Sequence, residues 1–474
     1  MLACVAAGAQ TAGRSGLQIG WGSAGGAGSV GAADSAQNPY LGGKPSGVVA
    51  PGAIDLSLPE ALDRGLKQNL GLLLTEQGGE QARAARLRSL AELLPSVNAQ
   101  FARSEEQLNL LALGVPRSFF PAGASTIAGP FGLFDARAIY AQNISLRAIQ
   151  ALRASAESFR ASQASLRDAR DLVVLFVGGG YIQALAAESR IDAIKAQLAT
   201  AENLYRQAED MKAAGTVPAI DVLRAQVEMQ VQQQRLVAAQ NDFDKAKLQL
   251  ARAIGLPQGQ AYRLTTEAPY QPVPPLTLEQ ALEQAFKNRA DYQSALAQQR
   301  AADLTRSAAG AERLPSLQMS VDYGALGLKA TQAHGTFTAT AGVQIPIFDS
   351  GRIRSDKMAA DALLRQRQDQ TADARARVEY DVRSAFLDLV SAGQQVEVAR
   401  SSVGLAGEQL TQARDRFSAG VTNNMEVIQA QESLAVANEN YIGSLLAHNL
   451  AKLALARALG GAESSVKNFL GGIR

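Results

Sequence analysis

Cysteine occurs once in this sequence, as Cys4, and tryptophan once, as Trp21. A single thiol excludes an internal disulfide and any thiolate metal cluster. Two histidines, His334 and His448, leave little room for a histidine-rich metal site or a histidine-based enzyme. No G-x-S-x-G elbow, phosphate-binding P-loop or metal-ligand cluster is present, so neither an enzyme nor a bound cofactor is expected. Charge of one sign is also missing. Lys+Arg number 46 and Asp+Glu 44, a net charge of +2, which argues against a nucleic-acid surface. Aromatics are only 5%; the abundant alanine and glycine suit elements packed backbone to backbone.

Long hydrophobic runs are absent too. A spanning helix needs about 20 mostly apolar residues. The best run, Leu172 to Ala187, has 16 and contains three glycines and a glutamine, so it reads as a buried helix segment. Met1 to Ala9 is apolar but lacks a basic start, a poor secretory signal. Cys4 is a candidate lipoprotein acceptor, or the N-terminus is misassigned. Residues 8–53, rich in Gly, Ala and Ser, are expected to be an extended or disordered lead-in.

The chain's 474 residues and 49.8 kDa, with mean hydropathy −0.06, suggest about three domains by length, but self-similarity gives another answer. Leu56-Ser57-Leu58-Pro59-Glu60-Ala61-Leu62 resembles Leu276-Thr277-Leu278-Glu279-Gln280-Ala281-Leu282, and Leu94-Pro95-Ser96 matches Leu314-Pro315-Ser316, both at an offset of 220. Leu250 to Gly255 matches Leu455 to Gly460, and Gly215 matches Gly420, at an offset of 205. The organisation is thus a flexible segment 1–53, a first repeat 54–256, a Pro-rich linker 257–275, a second repeat 276–461 and a tail 462–474.

Each repeat predicts the order short helix, strand, loop, strand, long helix, turn, helix. Ser316–Tyr323 and Thr336–Ile347 alternate apolar and polar residues with period two. Ser96–Arg103 does so in the first repeat, and Phe134–Ile144 does so weakly, without revealing which face is which. The stretch 104–133 reads as a long loop. The helices carry seven-residue rows instead. Val222, Met229, Leu236, Phe243 and Leu250 form one; Val427, Leu434, Tyr441, His448 and Leu455 form its twin. Such rows predict left-handed supercoiling, with His448 a packed seam residue.

Length then constrains architecture. The long helix 145–214 spans roughly 105 Å, beyond any ordinary globular domain. The short helices 60–93 and 217–254 together match it, as do 279–314 and 422–459 beside 350–419, so two short helices stack end to end along each long one. Gly178-Gly179-Gly180 inside the first long helix predicts a bend or a close helix approach.

The alternating strands fit either a membrane β-barrel or a soluble sheet with one buried face. Four strands cannot close a barrel, since the smallest have about eight, and an open edge in lipid leaves backbone groups unpaired. Membrane insertion therefore demands oligomerisation. The competing reading is a soluble periplasmic coiled-coil scaffold or adaptor.

The tandem repeat, the Leu-Pro-Ser entries, Ile345-Pro346-Ile347-Phe348-Asp349-Ser350-Gly351-Arg352 and the turns at Gly215 and Gly420 resemble the TolC-type outer-membrane efflux protein family over about residues 54–461. In the first repeat Phe134-Asp135 is out of register with the Phe-Asp-x-Gly-Arg pattern, and Leu146-Arg147 fits the position better. The resemblance implies a mainly α fold with a small β part. Long coiled-coil hairpins would form a periplasmic α-barrel, and four strands per protomer would build a trimeric 12-stranded outer-membrane β-barrel. It also implies a homotrimer, a periplasmic adaptor, an inner-membrane pump and outer-membrane lipid as partners. The role implied is a passive exit duct, with the linker and tail as a belt around the tunnel.

In that family the turns are where the adaptor docks: here Gly215, Thr216 and Val217, and Gly420, Val421 and Thr422. Gly suits the left-handed end of a long helix, and Thr216 and Thr422 are expected to N-cap the returning helices. An acid ringing the entrance falls on Glu426, with Asp221 its counterpart in the first repeat and Gln429 where the family often has a second acid. Thr422 stands where the family often has a latching arginine. Arg414 and Arg416 are near enough in sequence to pair with these carboxylates. A carboxylate in a first helical turn is also favoured by the helix dipole alone.

Overall fold

The computed structural model describes residues 38–266, 270–271, 276–422 and 424–464. Cys4 and the lead-in as far as residue 37 lie outside the described residues, as do 267–269, 272–275, Asn423 and 465–474.

In chain order the elements are β1 (Ile54–Leu56), α1 (Leu58–Gln68), α2 (Leu70–Ala91), β2 (Ser96–Asn109), β3 (Ile127–Ser145), α3 (Leu146–Ala213) and α4 (Ala219–Ala253). Then follow β4 (Tyr262–Leu264), α5 (Leu278–Asn288), α6 (Ala290–Ala311), β5 (Ser316–Gly327), β6 (His334–Gln344), α7 (Arg352–Ser418) and α8 (Asn424–Ala458). Both repeats open on the same device. Ser57 and Glu60 form a capping box at α1, and Thr277 and Gln280 form one at α5, each satisfying otherwise orphan backbone N–H groups.

Two expectations need correction here. The short helices are not continuous over 60–93 and 279–314. Each is broken by one residue in extended backbone, Asn69 (φ −65°, ψ 129°) and Arg289 (φ −61°, ψ 117°). The broken backbone is held from elsewhere in the chain. Asn69 Nδ2 donates to Tyr40 O (2.7 Å) and Ala253 O (3.2 Å), while its Oδ1 accepts from Gly71 N and caps α2. Nor is the lead-in loose up to residue 53. Tyr40 stacks on Phe176 of α3, Lys44 N bonds Gln68 O, Ser46 N bonds Gly255 O, and Ala50 N bonds the side chain of Gln260.

β1 and β4 pair separately in parallel, and the other strands form an antiparallel sheet in the order β2-β3-β5-β6. Its register settles the two faces. Val97, Ala99 and Phe101 share a face with Phe134, Ala136, Ala138 and Tyr140, then with Leu317, Met319, Val321 and Tyr323, then with Phe337, Ala339, Ala341 and Val343. The other face carries Asn98, Gln100, Asp135, Arg137, Gln318, Ser320, Asp322, Thr338 and Thr340. On it Arg137 pairs with Asp135 (2.7 Å) and Asp322 (3.2 Å), tying the two hairpins together.

The strand ends also differ from expectation. β2 and β3 stay paired out to Asn109 and Ile127, so the loop 104–133 shrinks to 110–126. A backbone ladder does not need apolar alternation where both faces are polar, so the pattern fades before the strand does. At the other end β6 stops at Gln344, because Pro346 has no N–H to give a ladder.

The repeats meet at a shared carboxylate. Arg147 Nε and Arg352 Nη1 hold the two oxygens of Glu312, at 2.7 and 3.1 Å. The two arginines head equivalent long helices, as the register of Leu146-Arg147 requires.

The largest core cluster surrounds the middle of α3. Val173, Val174, Val177 and Tyr181 are at most 1% exposed, so the most apolar run of the sequence is spent on packing. Gly178 lies where a Cβ would sit 3.2 Å from Leu453, so close approach accounts for that glycine, while a Cβ at Gly179 or Gly180 would meet Leu450 or Leu250 at ordinary contact distance. Tyr181 Oη donates to Leu56 O and accepts from Thr266 N, binding α3 to the parallel pair β1–β4. Beyond α8, Gly461 N and Glu463 N both donate to Asp171 of α3, so the tail begins docked.

His448 is buried, as a seam residue should be. Its ring lies against Tyr270, and its Nε2 is 3.3 Å from Gln271 O. One turn on, Lys452 is 1% exposed and burial pushes its pKa down to about 8.

Candidate functional site

Both long helices end in the same way. Gly215 and Gly420 adopt φ +72° and +69°, a region open to glycine but costly for residues with a Cβ. Gly215 N bonds Lys212 O and Thr216 N bonds Met211 O; Gly420 N bonds Phe417 O and Val421 N bonds Arg416 O. Each end is a Schellman motif that satisfies the last carbonyls of its helix. These turns place Gly215, Thr216, Gly420 and Val421 on the exposed tips, with Val217 and Thr422 half-buried behind them.

The threonines do not act as expected. Thr216 Oγ1 donates back to Met211 O (2.8 Å), and the N-cap of α4 is Pro218, without a side-chain bond. Thr422 Oγ1 donates to the Glu426 carboxylate. The backbone explains this. At Thr216 the Schellman turn brings the residue after the glycine over the helix just ended, within reach of its last carbonyls; Thr422 stands one residue later and reaches the returning helix instead.

Glu426 is half-buried, with Arg416 Nη1 3.2 Å from its Oε1. A cation from the descending helix thus holds the acid of the returning one. Gln429, one turn further, is exposed. Asp221 is placed differently. It is 7% exposed, its carboxylate 3.3 Å from Arg224, and its backbone oxygen accepts from Asn424 Nδ2. Asn424 is fully buried and couples the two tips. That coupling was not foreseen, and no local pattern signals it. Also unforeseen is an exposed apolar row on α4, Ile220, Leu223 and Val227. Its i, i+3, i+7 spacing is legible in the sequence but lies beside the packed row of Val222.

A four-stranded amphipathic sheet on helices roughly 100 Å long sets this chain apart from an ordinary globular domain. The sequence profile of the outer membrane efflux proteins matches residues 62–256 and 281–461. The chain belongs to that family. It is 24% identical over 425 residues to the toluene efflux pump outer membrane protein TtgC of Pseudomonas putida, covering 86% of this chain and 83% of that one. It is 24% identical over 434 residues to outer membrane protein OprJ of Pseudomonas aeruginosa, covering 86% and 85%. The pyoverdine export outer membrane protein OpmQ of the same species is 26% identical over 333 residues, 68% of each chain. Among solved structures, the Campylobacter jejuni CmeC outer membrane channel superposes with a TM-score of 0.75 at 17% identity, covering 92% of this chain and 96% of that one. The open state of the Neisseria gonorrhoeae MtrE channel gives 0.71 at 17% identity, covering 88% and 94%. The protein is therefore an outer membrane efflux protein with the fold of the solved outer-membrane channels, and its curated relatives are outer-membrane proteins of efflux pumps.

Proposed function

We propose that this chain is one protomer of a homotrimeric exit duct. The observation that carries the reading is the sheet: apolar on one face, polar on the other, with β2 and β6 unpaired at its edges among the described residues. Backbone groups on an open edge cannot face lipid. Three copies joined edge to edge give twelve strands, an adequate count for a membrane barrel. The apolar face then meets lipid and the polar face lines water. The helices carry matching unpartnered surface. Tyr380, Leu387, Val398 and Leu405 of α7 are exposed, at spacings of seven and eleven that keep them in one line along a helix.

Substrates pass from the periplasm to the exterior without energy input at the duct, the inner-membrane pump supplying it. The tips at Gly215–Val217 and Gly420–Thr422 dock the periplasmic adaptor. Linker 257–275, with the tail, serves as the belt. Three copies of Glu426 ring the periplasmic entrance, as charged rings do in channels, with Gln429 one turn above and Asp221 behind. Arg416 and Thr422 of the same protomer hold that acid; with Thr422 where the family often has an arginine that latches the closed state, and Gln429 in place of a second acid, the gate is less tightly latched and less anionic.

The test is light scattering of protein extracted from the outer membrane, followed by single-channel recording. A three-protomer particle whose cation preference falls in Glu426→Gln supports the reading. A monomeric or dimeric particle refutes the duct, and an unchanged preference refutes the role of Glu426.

A further inference from the structure

All four strand–helix transitions lie at one end of the sheet, since Ser96 pairs with Ala141, Ser145 with Ser316, and Ser316 with Gln344. That end carries an apolar rim. Leu94, Leu146, Leu314 and Ile345 are exposed, and Ile347 and Phe348 are 96% and 87% exposed. Ile345 and Ile347 continue by alternation the apolar face of Phe337 and Val343.

The same short segments are basic. Residues 88–95, 146–149, 312–315 and 345–355 contain Arg88, Arg147, Arg313, Arg352 and Arg354 against Glu92, Glu312 and Asp349. Two of the three acids are already engaged. Glu312 is shared by Arg147 and Arg352, and Asp349 accepts from the N–H groups of Gly351 (3.2 Å) and Ile353 (2.7 Å) at the start of α7. Arg88, Arg313 and Arg354 are exposed, with no carboxylate in ion-pair range among the described residues. An aromatic and aliphatic rim with unneutralised arginines directly beneath it matches the two layers of a membrane–water boundary, acyl chain first and headgroup phosphate second.

We propose that this collar is a binding site for anionic phospholipid in the periplasmic leaflet. Ile345, Ile347 and Phe348 enter the acyl boundary, and Arg313 and Arg354 take the phosphates. Arginine suits the task because its planar fork bonds phosphate oxygens in pairs. The inference rests on the duct reading and adds a ligand to it. The collar would hold the barrel at a set depth, so that the helices begin where the bilayer ends.

The test uses the full chain in nanodiscs of phosphatidylethanolamine alone, or of phosphatidylethanolamine with a minor fraction of phosphatidylglycerol. Native mass spectrometry after a detergent wash counts the lipids retained. Retention of phosphatidylglycerol over phosphatidylethanolamine is expected. Arg313→Gln/Arg354→Gln should lower it about thirtyfold, with oligomer size and conductance unchanged. Equal retention of both lipids, or retention unaltered in the double variant, overturns the proposal. Ile347→Ser/Phe348→Ser separates lipid from a neighbouring copy as the occupant of the rim. An oligomer that survives in detergent supports lipid, and one that dissociates overturns it. Failure of the duct itself would register earlier, as a particle of the wrong size before any lipid is counted.

Discussion

Arg289 interrupts the first short helix of the second repeat and places its Nη1 2.7 Å from Asp381 Oδ2 on α7. Its other two nitrogens take both oxygens of Asp291, at 3.0 and 2.6 Å. Burial works against the guanidinium charge, yet Asp291 and Asp381 raise its pKa above the ordinary arginine value. Truncation would leave Asp291 half-buried without its main partner. Arg289→Ala should therefore cost about 3 kcal/mol, read from urea denaturation. A loss within about 0.5 kcal/mol, the range of ordinary surface substitutions, would show that the fork is dispensable.

Lys452 predicts a pH dependence. A folded-state pKa of about 8 lies below the ordinary lysine value of about 10.4. Between the two the unfolded chain holds more protons, so stability rises with pH across that window. The total gain is on the order of 3 kcal/mol. Lys452→Met removes the titrating group and fills similar volume. It should be more stable than the parent at neutral pH and should lack the rise between pH 8 and 10. A parent protein with flat stability over that range would contradict this account of Lys452.

Gly178 and Gly404 separate packing from helix propensity. A Cβ on Gly178 meets Leu453 at 3.2 Å, whereas one on Gly404 of α7 meets nothing within 4 Å. Gly178→Val should destabilise by about 1–3 kcal/mol through overpacking. Gly404→Ala should stabilise by about 1 kcal/mol through propensity alone. Thermal melts of the two variants check both signs; a destabilised Gly404→Ala would reveal a neighbour at that site in the assembly.

Asn424 joins the tips through its bond to Asp221 O. Asn424→Ala removes that bond; since Asp221 O belongs to the first turn of α4 and keeps its helical donor, the cost is that of one hydrogen bond, about 0.5–1.5 kcal/mol. Proteolysis near residues 215–222 and 420–426 should quicken while the sheet end of the molecule is unaffected. A cleavage pattern equal to that of the parent would mean that the tips are held independently.

How much of this was legible beforehand follows from the range of each interaction. Residues 222–250 and 427–455 announced their helices because a seven-residue row is written in neighbouring residues. Gly215 and Gly420 announced their turns because a left-handed backbone selects glycine at that very position. The interruption at Asn69 left no such mark. The residues that hold it, Tyr40 and Ala253, lie 29 and 184 positions away, and no proline stands at the break.

The sequence by itself determined the two-fold repeat, the long helices, the hairpin turns and the four strands of the antiparallel sheet, since these depend on period and local backbone preference; the short parallel pair β1–β4 it did not announce. Tertiary structure alone decided where the short helices break, which face of β3 is apolar, how far the first hairpin extends and that Asp221 is turned inward. Each of these is fixed by where a backbone or charged group finds its partner. Partners such as Arg147 and Glu312, or Asp221 and Asn424, are brought together only when the two repeats pack against each other.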